Sequence, residues 1–352
     1  MTPEAPIILG IETSCDETAA AVVRDGIEVL SSVVASQEAV HARFGGIVPE
    51  IASRKHAEVI TAVVEEALTE AGVSWPDLAG MAVTQGPGLV GSLLVGLSAA
   101  KGYALATGLP LVGINHLEGH LLANFLRFGD AEPITPDFPL VCLIASGGHS
   151  DILLMRDLGV YKILGWTKDD AAGEALDKGA RVLGLPYPGG PALDAAARQG
   201  KPTAIAFPRP QVSGSFDFSF SGLKTALVRH IQAAGAPDTG TALSNVAALS
   251  DIAASYQEAV VDTLIRNTTA AAKRFSAKQM LLAGGVAANS RLRTKFAEAG
   301  RKLGIPTHYP PLSLCTDNAA MIAAAGHFRL LRHGSDALDM DAFSSLPVAE
   351  HV

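Results

Sequence analysis

Short apolar runs separated by longer helical patterns dominate the chain. The first run, residues 7–11, is followed by a polar turn and by a second strand near residues 19–24. Residues 140–145 repeat this plan, with a glycine-rich turn and a second strand near residues 151–156. A strand–polar turn–strand pattern that occurs twice predicts two lobes that begin alike.

The remaining pattern alternates buried strands with helices, which indicates an α/β architecture. We predict helices at 54–71, 89–107, 250–274, 289–303 and 317–332, and strands at 79–84, 110–114 and 279–283. The proline-rich, acidic stretch 129–139 predicts the connection between the lobes. We expect a mobile loop at 234–245 and a poorly ordered tail from residue 335. The predicted boundaries are lobe I at 1–138, lobe II at 139–314 and a terminal helical segment at 315–352 that packs back at the cleft.

The composition favours two well-packed domains. The chain has 352 residues, of which 48% are hydrophobic and 18% charged, so large buried cores are expected. No apolar run approaches the roughly 20 residues of a membrane span, and Glu12 interrupts the apolar N-terminal run, which leaves no visible secretory signal. Three cysteines without a CxxC pair suit a reducing compartment. We therefore expect a cytoplasmic protein without a membrane partner.

The charge argues against a broad basic surface. The net charge is −8 and the pI about 5.7, which is unlike a protein covered by nucleic acid. Two local basic clusters remain, at 54–56 and at Arg291, Arg293, Lys295, Arg301 and Lys302. Each cluster by itself is most simply interpreted as a solvated helix face.

The strongest chemical signal is a pair of histidines in the segment Asn-His-Leu-Glu-Gly-His. His116 and His120 are four residues apart, so on a helix both imidazoles lie on one face and can bind one metal ion. Asp317, at the start of an alanine-rich helix, is a candidate third ligand. The alternative is that one histidine packs in the core while the other lies on the helix surface.

Glycine-rich turns supply candidate anion sites. The loop 284–289 follows a buried strand and precedes a helix, where backbone N–H groups attract negative charge, and Asn289 is placed either to cap that helix or to bind a ribose or base. The turn 146–149 offers amides, a hydroxyl and an imidazole. Either segment is also compatible with an ordinary tight turn. The segment 217–225 is a candidate anion or nucleic-acid contact, or a strand edge packed by two phenylalanines.

A helix of small residues follows Gly88. Small side chains allow another helix to approach closely, so we interpret this helix as a candidate protein–protein interface.

Taken in order, these segments resemble one family. The residues that carry the resemblance are Ile-Glu-Thr-Ser-Cys-Asp-Glu-Thr, Gly-Pro-Gly-Leu-Val-Gly-Ser-Leu-Leu-Val-Gly, Asn-His-Leu-Glu-Gly-His, Ser-Gly-Gly-His, Asp-Asp-Ala-Ala-Gly-Glu, Phe-Ser-Phe-Ser-Gly-Leu-Lys-Thr and Cys-Thr-Asp-Asn-Ala-Ala-Met-Ile-Ala. Over residues 7–330 the chain resembles the bacterial TsaD family of tRNA adenosine threonylcarbamoyltransferases. Mild departures at Ala145, Ser150, Leu176 and Ala287 remove no candidate ligand and concern only the shape of the pocket.

The resemblance implies a fold and an activity. The fold is that of the actin-like ATPase superfamily, a duplicated two-lobe α/β structure with an interlobe cleft. The activity is transfer of a threonylcarbamoyl group from threonylcarbamoyl-AMP to the N6 amine of adenosine 37, in tRNAs that read codons beginning with A. His116, His120 and Asp317 match the metal ligands, with one divalent ion per subunit, Fe²⁺ ahead of Zn²⁺. The matched substrate-binding positions are Ile144, Ala145, Ser146, Gly147, Gly148, Asp177, Gly190, Asp194 and Asn289.

The resemblance also implies partners: tRNA, a small non-catalytic paralogue (TsaB) and an ATPase (TsaE). We place the paralogue's contact on the helix after Gly88. Because threonylcarbamoyl-AMP is already activated, we expect direct attack by the adenine amine, with Glu12 or Asp16 as candidate proton acceptor.

Three rival functions remain open at this point. A metalloprotease of the HExxH type needs a glutamate directly after the first histidine, where this chain has Leu117. An actin-like small-molecule kinase would need neither tRNA nor threonine. A non-catalytic scaffold of a tRNA-modifying complex would not need the two histidines and the aspartate.

Overall fold

The structure, a computed structural model, describes residues 5–129, 132–233 and 246–348; the loop predicted at 234–245 lies outside them. The strands are β1 (Ile7–Glu12), β2 (Glu17–Arg24), β3 (Glu28–Ser36), β4 (Gly80–Gly86), β5 (Leu111–Asn115), β6 (Leu140–Ala145), β7 (Ser150–Asp157), β8 (Val160–Trp166), β9 (Gln279–Ala283) and β10 (Thr307–His308). The α-helices are α1 (Glu38–His41), α2 (Pro49–Ala71), α3 (Val90–Thr107), α4 (His116–Leu122), α5 (Ala172–Val182), α6 (Gly189–Ala197), α7 (Ser221–Ala233), α8 (Val246–Arg274), α9 (Ser290–Leu303) and α10 (Ala319–His333).

The chain divides into two compact units. The first comprises residues 1–136, 158–160 and 310–352, and the second comprises residues 137–157 and 161–309. The five-stranded sheet of the first unit has the order β3-β2-β1-β4-β5, and that of the second has the order β10-β9-β6-β7-β8. The central strand β1 pairs antiparallel with β2 and parallel with β4. In the same way, β6 pairs antiparallel with β7 and parallel with β9. The repeated hairpin predicted from the sequence is therefore part of a repeated sheet topology.

Two strands of the first unit are continuous apolar runs in the sequence because both of their faces are buried. β1 and β4 are buried on both faces, with Leu9, Ile11, Met81 and Val83 in one hydrophobic cluster. A methyl group at Gly10 would overlap the backbone of α10 at its first turn. The first turn of α10 therefore packs on β1 at Gly10, two residues before Glu12 at the end of that strand.

Differences between prediction and structure have local causes. α2 begins at residue 49, earlier than predicted, because the proline there has the backbone conformation of a first helical position. The hydrophobic pattern does not predict β3 and β8, which are edge strands with mixed exposure.

The tail is ordered against the first unit over residues 335–348, contrary to expectation. Asp336 accepts a hydrogen bond from the Gly113 amide on the outer strand β5 (2.9 Å). The Phe343 amide donates to the Gln85 carbonyl (2.9 Å). Backbone groups at the edge of the sheet and at the end of β4 thus find partners in the tail, which the sequence pattern does not reveal.

Helix α3 bears on the expectation that no segment approaches a membrane span. It is 18 residues long with a mean hydropathy of 1.2, so its length and composition alone would allow it to cross a membrane. Its buried positions, which include Leu93, Leu97, Ala100 and Ala104, recur every three or four residues and face α2 and β4. The opposite face exposes Val90, Leu94 and Leu105. A helix that packs one face on a protein core passes the same compositional test.

Candidate metal centre and glycine-rich loops

The histidine pair lies on a short helix that begins directly at the end of β5. Asn115 caps α4, because its side-chain oxygen accepts a hydrogen bond from the Leu117 amide (2.9 Å). Its side-chain nitrogen donates to the Leu346 carbonyl in the tail (2.9 Å). His116 and His120 lie one turn apart on this helix, with ring centroids separated by 4.6 Å. The cap therefore fixes the helix end that carries both imidazoles.

Asp317, from the C-terminal part of the chain in the first unit, lies beside the two histidines. It precedes α10, which is capped by Asn318 through a hydrogen bond from the Met321 amide (3.1 Å). Asp317 Oδ1 lies 3.4 Å from His116 Nε2 and 3.1 Å from His120 Nε2. One ligand atom from each of the three side chains lies within 4.8 Å of the others. Ligands bound at about 2.1 Å in tetrahedral geometry are about 3.4 Å apart, so the two measured separations suit one shared ion.

His120 supplies the observation that tests whether a metal fits. Its side chain is 1% exposed, and neither ring nitrogen has a hydrogen-bond partner within the described residues. The approach of Nε2 to Asp317 lacks the alignment of a hydrogen bond. A buried imidazole without a partner is costly, whereas a cation between these atoms would satisfy the nitrogen. Two imidazoles and one carboxylate suit a borderline ion such as Fe²⁺ or Zn²⁺.

Glu12 contacts the ring nitrogen of His116 that faces away from Asp317. Its Oε2 atom lies 2.8 Å from His116 Nδ1 and accepts a hydrogen bond from Thr84 Oγ1 (2.6 Å). Its other oxygen accepts the Ser14 amide. A carboxylate on Nδ1 fixes that nitrogen as the donor and turns the Nε2 lone pair towards Asp317. The site thus has the carboxylate–histidine arrangement found behind many metal ligands.

The charges of this cluster depend on one another. Burial opposes a charge on His116, but the carboxylates of Asp317 and Glu12 outweigh it and raise the His116 pKa well above its ordinary value. Burial, and then the neighbouring His116, lower the pKa of His120. For Asp317, the attraction of His116 outweighs burial and holds the pKa far below its usual range. A cation bound by these atoms would therefore displace a proton from His116.

The sequence did not reveal the supporting contacts of Glu12 with Ser14 and Thr84. The available signal was a carboxylate at the end of an otherwise apolar strand. Asp16 lies in the same hairpin turn but is half-buried, and its carbonyl accepts the Gln37 amide (3.0 Å). Next to it, burial and the nearby acids Asp317 and Asp16 raise the pKa of Glu17 to about 10.

In the second unit, the glycine turn after β6 packs against the beginning of α5. Ser146 accepts the Gly173 amide on its carbonyl (3.1 Å), and Ser150 Oγ accepts the Ala172 amide (2.8 Å). A methyl group on Gly147 or Gly148 would meet no atom within 4 Å. Ile144 and Ala145 are fully buried at the end of β6. The turn is firmly held at its base, and its glycines face open space.

The loop after β9 approaches the same strand end. Gly284 has a φ of +86°, and a methyl group there would lie 2.5 Å from the Ala145 carbonyl oxygen. Only glycine combines this backbone conformation with so close an approach. The next residue, Gly285, again has open space around its Cα. The structure thus places the two glycine loops side by side at the ends of β6 and β9.

The polar residues predicted for substrate binding make their contacts at the beginnings of α6 and α9. Asp177 accepts the Gly190 amide at the start of α6 (2.8 Å), and burial raises the pKa of its carboxyl group. Asp194, one turn further, accepts a hydrogen bond from Ser290 Oγ (2.8 Å). Asn289 caps α9, because its side-chain oxygen accepts the Leu292 amide (2.9 Å), and its side-chain nitrogen donates to Gln257 (3.0 Å). Each of these side chains already has a protein partner.

The aromatic segment and the basic cluster belong to the framework of the second unit. Phe218 and Phe220 are fully buried, and Asp169 accepts hydrogen bonds from Ser219 and Ser221 (2.6 Å each). Phe218 forms an isolated β-bridge with Thr167, whereas α7 begins at Ser221, so the strand-edge interpretation describes only the first part of segment 217–225. Two members of the basic cluster, Arg291 and Lys295, bind Glu258 on α8 at 2.6 Å.

Comparison with known proteins gives concordant matches. A family profile described as "TsaD: tRNA N6-adenosine threonylcarbamoyltransferase" matches residues 28–324. A protein of that enzyme name from Dehalococcoides mccartyi is 50% identical over 341 residues, which cover 97% of this chain and 99% of the relative. Another of the same name, from Anaeromyxobacter dehalogenans, is 54% identical over 337 residues, covering 95% and 97%.

Solved structures resemble the chain in fold. HypF of T. kodakarensis aligns with a TM-score of 0.61 at 15% identity, covering 93% of this chain but 48% of HypF, so this chain spans about half of HypF's length. Component A of the (R)-2-hydroxyglutaryl-CoA dehydratase from Acidaminococcus fermentans aligns with a TM-score of 0.51 at 15% identity, covering 93% and 100%. At this identity the likeness concerns the fold alone. The α/β, actin-like fold predicted from the sequence is confirmed.

Proposed function

The chain belongs to the TsaD family of tRNA N6-adenosine threonylcarbamoyltransferases, and from this premise we propose how its residues divide the reaction. As a member it is an acyltransferase of t6A biosynthesis that modifies tRNA. We propose that His116, His120 and Asp317 hold one divalent ion, Fe²⁺ or Zn²⁺, at the reacting centre. The observation that carries this assignment is the convergence of their ligand atoms within 4.8 Å.

The reaction joins the adenine amine to an activated carbonyl. The N6 nitrogen of adenosine 37 forms a bond to the carbamoyl carbon of threonylcarbamoyl-AMP, the bond from that carbon to the phosphate oxygen breaks, and AMP leaves with its electron pair. The N6 nitrogen loses one proton. A divalent ion bound here supplies Lewis acidity that stabilises the negative charge developing during the transfer.

Glu12 acts on His116 rather than on the substrate in this proposal. Both of its oxygens accept hydrogen bonds within the protein, and the side chain is fully buried. It therefore keeps the His116 ring in one tautomer and one orientation. Asp16, half-buried in the same turn, remains the candidate acceptor of the amine proton.

The second unit binds the donor nucleotide in this proposal. The backbone amides of Gly147 and Gly148 bind phosphate oxygens, because these glycines leave room for a ligand to approach the main chain. The residues Asp177, Gly190, Asp194 and Asn289 shape the loops that hold the ribose and base. Their existing hydrogen bonds support this positioning role.

The partners follow from the family and from one surface. We propose that TsaB, the non-catalytic paralogue, packs on the exposed face of α3, where Val90, Leu94 and Leu105 are uncovered. The ATPase TsaE completes the set, and the complex works in the cytoplasm without a membrane.

Reconstitution tests the proposal. The full chain, TsaB, TsaE and tRNA are combined with threonine, bicarbonate, ATP and an enzyme that forms threonylcarbamoyl-AMP, and the tRNA nucleosides are identified by mass spectrometry. We expect t6A with Fe²⁺- or Zn²⁺-loaded protein and none after the ion is removed by chelation. Undiminished t6A formation by protein shown to be metal-free would refute the metal assignment.

A further inference from the structure

A buried histidine outside the metal centre contacts the turn that carries Glu12 and Ser14. His56 lies on α2 and is fully buried. Its Nε2 atom is 3.0 Å from the Cys15 carbonyl oxygen, and its Nδ1 atom is 2.7 Å from Thr18 Oγ1. The two ring nitrogens therefore contact the hairpin turn at Cys15 and the beginning of β2 at Thr18. The reaction as described above assigns this residue no role.

The partners of His56 define its tautomer. A carbonyl oxygen can only accept, so Nε2 must carry the hydrogen that is donated to Cys15. Nδ1 is then the acceptor, and the Thr18 hydroxyl donates to it. Burial lowers the pKa of His56, which is consistent with a neutral ring. A neutral imidazole in one fixed tautomer is a rigid connection between α2 and the turn.

The turn transmits this constraint to the metal ligand. Cys15 directly follows Ser14, whose amide donates to Glu12 Oε1 and whose Oγ lies 3.2 Å from His116 Nδ1. A second contact holds the next residue, because the Gln37 amide donates to the Asp16 carbonyl (3.0 Å). Displacement of the Cys15 carbonyl would therefore move both groups that face His116 Nδ1.

We propose that His56 is a positioning residue of the metal centre: its Nε2–H group holds the Cys15 carbonyl and thereby keeps Ser14 and Glu12 against His116. The inference rests on the proposed function, since it concerns the same ion. Among the described residues, His56 makes its hydrogen bonds with Thr18, Gln37 and Cys15 and with none of the three ligands, so its effect passes through the turn.

Two amide substitutions separate the contacts of the two nitrogens. In His56→Gln the side-chain amide can occupy the place of Nε2 and donate to the Cys15 carbonyl. In His56→Asn the shorter amide can reach only the place of Nδ1, so the Thr18 contact is kept and the Cys15 contact is lost. We measure Fe²⁺ or Zn²⁺ affinity of the full-length protein by competition with a chelator, together with the thermal midpoint and with kcat and KM in the reconstituted reaction.

We expect His56→Gln to bind the ion nearly as the wild type does, and His56→Asn to bind it about 10-fold more weakly, with a lower kcat and an unchanged KM for tRNA. Equal metal affinity of the two folded variants would overturn the inference. If wild-type protein itself bound no ion, the proposed metal site would fail instead, so the two failures are distinguishable.

A second variant protects the test against misfolding. Should His56→Asn fail to fold, His56→Leu removes the donor to the Cys15 carbonyl and keeps an apolar side chain in the buried position. We expect the folded His56→Leu protein to bind the ion about 10-fold more weakly, whereas Thr18→Val, which leaves the Nε2–H donor in place, should bind it nearly as the wild type does. Unchanged metal affinity in folded His56→Leu would contradict the inference.

Discussion

The two units treat their predicted functional residues differently. In the first unit, His120 is buried with both ring nitrogens lacking a hydrogen-bond partner in the described residues, and Asp317 lies 3.1 Å away. In the second unit, Asp177, Asp194 and Asn289 already have protein partners. There the open positions lie over the backbone of Gly147, Gly148 and Gly285.

This difference separates two ways of building a site. The first unit presents side-chain atoms whose hydrogen-bonding capacity calls for a ligand. The second uses side chains to shape loops and presents main-chain amides to the ligand. Substitution of a metal ligand in the first unit should therefore abolish metal binding. Substitution of a loop glycine or of a loop-shaping side chain in the second unit should weaken donor binding or loop stability.

The largest effect is expected at His120, the ligand whose ring nitrogens make no hydrogen bond within the described residues. We predict that His120→Ala loses the bound ion and that t6A formation falls to background, because two remaining ligands hold a divalent ion poorly. The thermal midpoint of the metal-free protein should change little. Elemental analysis and nucleoside mass spectrometry measure the two outcomes. Stoichiometric metal together with normal t6A in this variant would contradict the assignment.

Glu12 should produce a smaller effect on the same ion. Glu12→Gln keeps the shape but removes the negative charge behind His116, so we predict a loss of metal affinity of roughly 10- to 100-fold. Chelator competition measures it, with Glu50→Gln on the surface of α2 as control. Metal affinity equal to that of the control would show that Glu12 does not tune the ligand.

Gly148 tests the second unit by a change that leaves the ion untouched. A methyl group there meets no protein atom but would occupy the space over the backbone. We predict that Gly148→Ala raises the KM for threonylcarbamoyl-AMP roughly tenfold, which is about 1.4 kcal/mol, at unchanged thermal midpoint and metal content. Gly222→Ala, also free of clashes, is the matched control. An unaltered KM would exclude this turn as a donor site.

Asp151 tests the framework of the second unit through pH. Burial raises its pKa to about 7 from an ordinary 3.8, so the native state binds the proton more tightly than the unfolded chain. This group's contribution to stability is therefore full below about pH 4 and is lost as pH rises through 7. We predict that Asp151→Asn gains up to about 4 kcal/mol relative to wild type at pH 8 but not at pH 4. Thermal unfolding at both pH values measures it, and a pH-independent difference would contradict the prediction.

The smallest effect concerns the helix cap. Asn289→Ala removes the hydrogen bond to Leu292 and should destabilise the protein by about 1 kcal/mol, whereas Asn289→Asp retains a capping oxygen. Differential scanning fluorimetry compares the two. An equal loss in both variants would mean that the contact with Gln257, rather than the cap, stabilises the loop.

How much the sequence revealed depends on the range of the interactions. The repeated apolar strands predicted β1, β6 and β9 closely, because burial on both faces imposes continuous apolar runs. The i,i+4 spacing of His116 and His120 predicted their shared face. The position of Asp317 at the start of an alanine-rich helix made it a candidate third ligand, and the family resemblance matched it to the ligand set. No local pattern reports its contact with histidines two hundred residues away. The contact of Thr84 with Glu12 and that of the tail with Asn115 also join residues far apart in the chain, so no local pattern predicts them.

Two imidazoles and one carboxylate should bind a single ion in the first unit. X-ray absorption spectroscopy of the metal-loaded, full-length protein measures the ligands of that ion. We predict a first shell with two imidazole nitrogens at about 2.0–2.1 Å and further oxygen ligands, and no metal signal from this site in His120→Ala, which loses the ion. A wild-type first shell made of oxygen alone, or a spectrum that His120→Ala leaves unchanged, would contradict it.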